Sequence, residues 1–205
     1  MPESRPPLPA ARRRAVALAG HLGDEATARA FLHDEDPRVR ATAVGALARL
    51  GALGDDDVRA MAVDPDPSVR GRIARVVPSA LDADAACAVL RTLLHDGEAS
   101  VVEVAAWALG EVDSPASDVV HELAEVATAH ADPLARESAV AALGAIGDFA
   151  GLDAILAATS DKPAVRRRAV LALAPFDGPE VDTALRRALE DRDWQVRQAA
   201  EDLLD

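Results

Sequence analysis

Aromatic residues are nearly missing from this chain: two Trp, three Phe and no Tyr among 205 residues. Half of the residues are hydrophobic all the same, so the core has to be assembled from Ala, Val and Leu, which suits closely spaced helices. Lysine is scarcer still. Lys162 is the single one, so nearly every cation is Arg, while Asp outnumbers Glu by 23 to 12. This bias resembles that of a high-GC genome and a salt-adapted cytoplasm. A formal net charge of −13 opposes approach to nucleic acid or to an anionic membrane surface. Cys87 is the one cysteine, which excludes an intrachain disulfide and gives no sign of an oxidising compartment. No apolar run approaches the roughly 20 residues of a membrane span. The run that follows Arg12 to Arg14 stops at His21, too short for a secretory core, so the expectation is a soluble, cytoplasmic protein.

What the chain does have is a repeat: an acidic residue, Pro, any residue, Val, Arg, then Ala and Leu at helical spacing, closing in Leu-Gly. It reads DPRVRATAVGALARLG from Asp36 and DPSVRGRIARVV from Asp66. Further copies are EASVVEVAAWALGEV from Glu98, DPLARESAVAALGAIG from Asp132, KPAVRRRAVLALAPF from Lys162, DWQVRQAAEDLL from Asp193 and LPAARRRAVALAGHLG from Leu8. Anchored on the Val position, the copies align at Ala11, Val39, Val69, Val101, Ala135, Val165 and Val196, spaced 28 to 34 residues apart. Residues 0, 4, 8 and 11 after the anchor fall within about 80° on a helical wheel, so each copy predicts one amphipathic helix. On this register Ala15 and Leu204 belong to the core stripe.

Asp36, Asp66 and Asp132 are suited to cap these helices with Pro in the first turn, and Gly23, Gly51 and Gly147 to end them. Shorter apolar-periodic segments lie between them: Asp24 to His33, Asp55 to Val63, Asp82 to His95, Ser117 to His130, Phe149 to Thr159 and Pro179 to Glu190. Two helices per repeat of about 31 residues cannot bury their faces alone, so neighbouring repeats must stack.

These residues resemble HEAT repeats, specifically the short variety of phycobilisome-lyase-like HEAT proteins. The resemblance implies an all-α superhelix, a right-handed solenoid of six to seven helical hairpins. The expected organisation is a disordered tail over residues 1–7 and a single solenoid domain over 8–205.

One residue after the anchor stand Arg12, Arg40, Arg70, Arg136, Arg166 and Arg197, with Val102 in the remaining slot. With Asp36, Asp66, Glu98, Asp132 and Asp193 three residues before the anchor, they predict a structural arginine ladder running from repeat to repeat. Residues 2, 3, 6 and 10 after the anchor face away from the stripe and, by the resemblance, line the inner curve. They are not periodic: Arg13, Arg14 and His21, then Thr42 and Arg49, Arg72 and Arg75, Glu103, Trp107 and Glu111, Glu137 and Ser138, Arg167 and Arg168. Trp107 is either an exposed anchor for a partner or the filler of an inter-repeat gap. Trp194 is expected to shield the end of the stack, and Cys87 to be a buried small hydrophobe.

Chemistry is harder to find. Deoxyhypusine hydroxylase, a HEAT-repeat di-iron enzyme, takes His-Glu pairs as metal ligands. Here Glu103 and Glu137 follow Val102 and Arg136 instead, and His121 with Glu122 is the one His-Glu pair, on the other helix type. No metal site, cofactor or catalytic constellation is expected. The reading is a non-catalytic scaffold or adaptor, not an enzyme and not a nucleic-acid or membrane binder, with Arg13, Arg14, Arg72, Arg75, Glu103, Trp107, Arg167 and Arg168 contacting another protein through its acidic and apolar groups. A monomer is expected unless the partner is a second copy. The alternative is an enzyme on the same fold, resembling alkylpurine DNA glycosylases or bilin lyases.

Overall fold

Paired helices are the building unit of the computed structural model, which describes residues 8–113 and 117–204. The expected tail, residues 1–7, lies outside the described residues. Among those residues are thirteen α-helices and no strand. The seven repeat copies form α1 (Pro9–Leu22), α3 (Pro37–Arg49), α5 (Pro67–Ala80), α7 (Ala99–Leu109), α9 (Pro133–Ile146), α11 (Pro163–Ala172) and α13 (Trp194–Leu204). The segments between them form α2 (Glu25–Ala30), α4 (Asp55–Ala62), α6 (Ala83–Leu94), α8 (Ser117–Ala129), α10 (Leu152–Ala158, after a short 3-10 turn at Phe149–Gly151) and α12 (Pro179–Ala188). Each even helix is thus the first, and each odd one the second, helix of a hairpin.

The helices divide into two compact units, one ending at Asp82 and the other starting at Ala83. In unit 1, α1 packs on α3 and α3 on α5, with α2 and α4 covering the other side. In unit 2, α7, α9, α11 and α13 stack in sequence, and α6, α8, α10 and α12 pack against them. The fold is therefore an all-α solenoid of HEAT-like hairpins.

Local chemistry sets the helix ends. Asp36, Asp66 and Asp132 accept the backbone N–H two residues on at 2.8, 2.9 and 2.8 Å, satisfying a donor the helix leaves open, while Pro stands next in line without cost. Gly23 and Gly147 close α1 and α9 in the left-handed region, at φ 82° and 69°, where a side chain would be strained.

The anchor stripe lies in the core: Val39, Val69, Val101, Ala135, Val165 and Val196 are buried, as are Leu47, Val77, Leu109, Leu143 and Leu173 eight residues later. Two places depart from the predicted stripe. Ala11 and Ala15 are exposed, because the equivalent residues of later repeats lie beneath the first helix of the same hairpin and no described helix precedes α1. Leu204 is also exposed, in the last described turn of α13.

Candidate functional site

The arginines one residue after each anchor form the ladder, but not with the carboxylates the sequence suggested. The aspartates three residues before the anchor serve as caps. The partners stand further upstream, in the turn that joins the two helices of the next hairpin. Arg12 grips Asp34 with Nε at 2.8 Å and Nη2 at 2.9 Å. Arg40 holds Asp64 at 2.8 and 2.7 Å, Arg136 holds Asp161 at 2.6 and 2.7 Å, and Arg166 holds Asp191 at 2.8 and 2.6 Å. All four are two-pronged guanidinium–carboxylate pairs, the strongest geometry available to these groups.

From α3 onward the ladder guanidinium groups also reach back to their own turns. Nη1 of Arg40, Arg70, Arg136, Arg166 and Arg197 donates to the carbonyl of Asp34, Asp64, His130, Asp161 and Asp191 in that order. The turn aspartates meanwhile accept backbone N–H groups, Asp34 from Asp36 and Asp64 from Asp66, both at 2.9 Å. One rung differs at both ends. Where α7 has Val102 instead of Arg, the turn before α9 has His130 instead of Asp, and its Nδ1 accepts the Asp132 N–H at 3.1 Å. The cation and the anion are dropped together, and the turn keeps its acceptor.

These contacts hold the ladder carboxyls below the usual aspartate range. For Asp161 and Asp191 the first cause is the arginine hydrogen bond. For Asp34 and Asp64 burial pushes upward, and the arginine hydrogen bond, the backbone N–H and the nearby arginine charges together outweigh it. A carboxyl with a depressed folded-state value contributes stability above its unfolded value, here 3.8, and loses it as pH falls through the folded value. The melting temperature, followed by circular dichroism, should therefore not decline from pH 7 to 5 and should fall below about pH 4. A decline that begins above pH 5 would assign acid sensitivity to other groups.

The outward faces of the second helices differ between the units. In unit 1, Arg13, Arg14, Arg72 and Arg75 are all exposed. Although Arg72 is an exposed residue, partial desolvation, then the like charges of Arg75 and Arg49, pull its guanidinium below the ordinary arginine value. In unit 2, Trp107 projects from α7 with 44% of its surface exposed, so the indole does not fill an inter-repeat gap, while Val101, Val102, Ala105 and Ala108 of the same helix are buried. Glu103 and Glu137 are half-buried, and Arg168 reaches Glu137 with Nη2 at 3.6 Å from Oε1. Arg167 and Arg168 are half-buried too, with Nε atoms that lack a hydrogen-bond partner. The predicted contact residues thus fall into a cationic set in unit 1 and a mixed set, which includes Trp107, in unit 2. Arg38 and Arg49 belong with the first set and were not singled out as contacts; their signal is the outward register of α3.

Trp194, expected to shield the stack's end, is 64% exposed at the start of α13 and covers little. Cys87 is buried in α6, and burial above all pushes its thiol upward. Glu122 of the His121–Glu122 pair is taken by Arg91 of α6, Oε1 lying 3.0 Å from Nε. Among the described residues, no three His, Cys, Asp or Glu side chains converge as metal ligands.

The HEAT-repeat sequence pattern matches residues 56–127 and 120–205. The chain belongs to the HEAT-repeat family. No curated protein matches this HEAT-repeat chain in sequence. Among solved structures it is similar to Escherichia coli YibA, at 19% identity over 98% of this chain and 76% of that one, with a TM-score of 0.70. An engineered protein aligns at 19% identity over 88% of this chain and 95% of its own, with a TM-score of 0.59. Human deoxyhypusine hydroxylase aligns at 20% identity over 95% and 78%, with a TM-score of 0.50. At these identities the likeness is one of fold.

Proposed function

We propose that this HEAT-repeat chain is a non-catalytic scaffold or adaptor of the cytoplasm, of the short-repeat kind found in phycobilisome-lyase-like proteins, and that it grips a partner protein with the outward faces of its second helices. The observation that carries this reading is Trp107. A large aromatic held open to solvent, on a helix whose other side is packed, has the character of an interface anchor. Glu103 of the same helix, with Arg167 and Arg168 of α11, supplies polar contacts, and in unit 1 Arg13, Arg14, Arg72 and Arg75 supply cations for a partner's carboxylates. The HEAT family commonly mediates protein–protein contact, which supports the reading.

Immobilised wild-type chain, exposed to extract of the source cells and analysed by mass spectrometry, should retain a partner that the Trp107→Ala variant retains at least about ten-fold less well. The variant should melt within a degree or two of wild type, because the indole stands outside the buried stripe of α7. Equal retention by both chains, or a large fall in melting temperature, would overturn the role given to Trp107.

A further inference from the structure

The three second helices of unit 1 carry nine arginines, three each, and not one Asp or Glu. Arg12, Arg40 and Arg70 are ladder residues engaged with the turns. The other six, Arg13, Arg14, Arg38, Arg49, Arg72 and Arg75, are exposed and make no side-chain hydrogen bond or ion pair among the described residues. Elsewhere in the same unit arginines do find acids: Arg29 pairs with Glu25 and Asp57, and Arg59 with Asp56. Missing carboxylates therefore mark this one face, not the unit. Residues 1–82 hold 12 acidic and 12 basic residues, whereas 83–205 hold 23 and 10, so the cationic face sits on the neutral part of an acidic chain.

The face is also shaped for flat contact. Its floor is small: a Cβ on Gly45 of α3 would meet Cδ and Nε of Arg72 at 3.7 Å, and one on Gly20 of α1 would meet Nη1 of Arg49 at 3.2 Å. Each of these guanidinium groups is thus laid across the preceding helix where a side chain is absent. Like charges this close repel, and an anion from outside would relieve the repulsion.

We propose that this face binds an extended acidic protein segment, its carboxylates received by Arg49, Arg72 and Arg75. The proposal rests on the reading that the outward faces of the second helices are contact surfaces, and it names the chemistry of what unit 1 receives. Guanidinium forks take carboxylate or phosphate in pairs, and carboxylate is favoured over nucleic-acid phosphate on two other grounds. Phe31 is the one aromatic residue in positions 1–82, so there is little to stack on bases. A long polyanion would also meet the surplus of 13 negative charges in residues 83–205, which a short segment can avoid. Adjacent helices lie about 8–10 Å apart and an extended chain rises about 3.3 Å per residue, so an acid at roughly every third position meets successive helices.

The test uses the full chain and fluorescence anisotropy with a labelled dodecapeptide of repeated Ser-Gly-Glu, its Gln counterpart and a twelve-nucleotide single-stranded DNA. The acidic peptide should bind saturably and at least about ten-fold tighter than the Gln peptide. The triple variant Arg49→Gln/Arg72→Gln/Arg75→Gln should lose at least that factor while keeping its melting curve, and Arg186→Gln/Arg187→Gln on α12 should bind as wild type. No saturable binding, an unaffected triple variant, or DNA that binds tighter than the peptide would each overturn the proposal. The scaffold reading is judged separately by Trp107→Ala, which lies in the other unit.

Discussion

Replacing Arg40 with Val should destabilise the protein by about 3 kcal/mol, among the largest single-residue losses expected in this chain. The Asp64 side chain is 4% exposed and that of Arg40 13%, so the substitution strands a carboxylate where water reaches poorly. It also releases the Asp34 carbonyl, which Arg40 holds at 2.9 Å. For a chain of this length the expected fall in melting temperature is on the order of 6–12 °C. The rung that carries Val102 and His130 says how to repair the damage: remove the anion as well, and keep an acceptor for the turn. Arg40→Val/Asp64→His should recover at least about 1 kcal/mol over Arg40→Val, a coupling that a double-mutant cycle in denaturant resolves. A double variant no more stable than the sum of the two single changes would mean that the ladder's charges act independently.

The second large effect comes from close helix approach in unit 2. A Cβ added to Gly144 of α9 would lie 2.6 Å from Cβ, 2.7 Å from Cα and 3.0 Å from the carbonyl oxygen of Ala172 on α11, and backbone cannot swing aside. Gly144→Val should therefore force the two helices apart and cost about 2–3 kcal/mol. Gly144→Ala sets this clash against the better helix propensity of Ala, worth up to about 1 kcal/mol, and should still destabilise. Gly71, inside α5 with nothing near its would-be Cβ, is the control: Gly71→Ala should stabilise by about 0.5–1 kcal/mol. Opposite signs for two Gly→Ala changes in helices of the same type separate packing from propensity. A stabilising Gly144→Ala would show that α9 and α11 can part without cost.

Much of the fold was legible because the repeat states it seven times. Val39, Val69 and Val165 fix the core stripe, and the Asp-Pro pairs at Asp36, Asp66 and Asp132 mark helix starts by hydrogen-bond chemistry that any Asp-Pro helix start shares. The pattern broke at Ala11, Ala15 and Leu204, because burial depends on neighbouring helices that a residue's own sequence cannot show.

Ladder partners were harder. Asp34, Asp64 and Asp191 stand two residues before a capping aspartate, and from the sequence either carboxylate could meet the arginine. Only the folded turn spends one on the helix end and aims the other at the preceding repeat. At the candidate site, the outward register located Arg72 and Trp107, whereas the reach of Arg168 to Glu137 depends on side-chain length and helix spacing.

The two-ended wiring of each turn also constrains how such a chain can grow. A hairpin copied from one place to another fits only if the acid in its turn meets an arginine before it and its own arginine meets an acid after it. The α2/α3 and α10/α11 hairpins satisfy that condition at both sides, Asp34 meeting Arg12 and Arg40 meeting Asp64 in one, Asp161 meeting Arg136 and Arg166 meeting Asp191 in the other, so exchange between them leaves no stranded charge. The hairpin that ends in α7 with Val102 and the one whose turn carries His130 fit only next to each other, which makes that pair a fixed punctuation mark in the array.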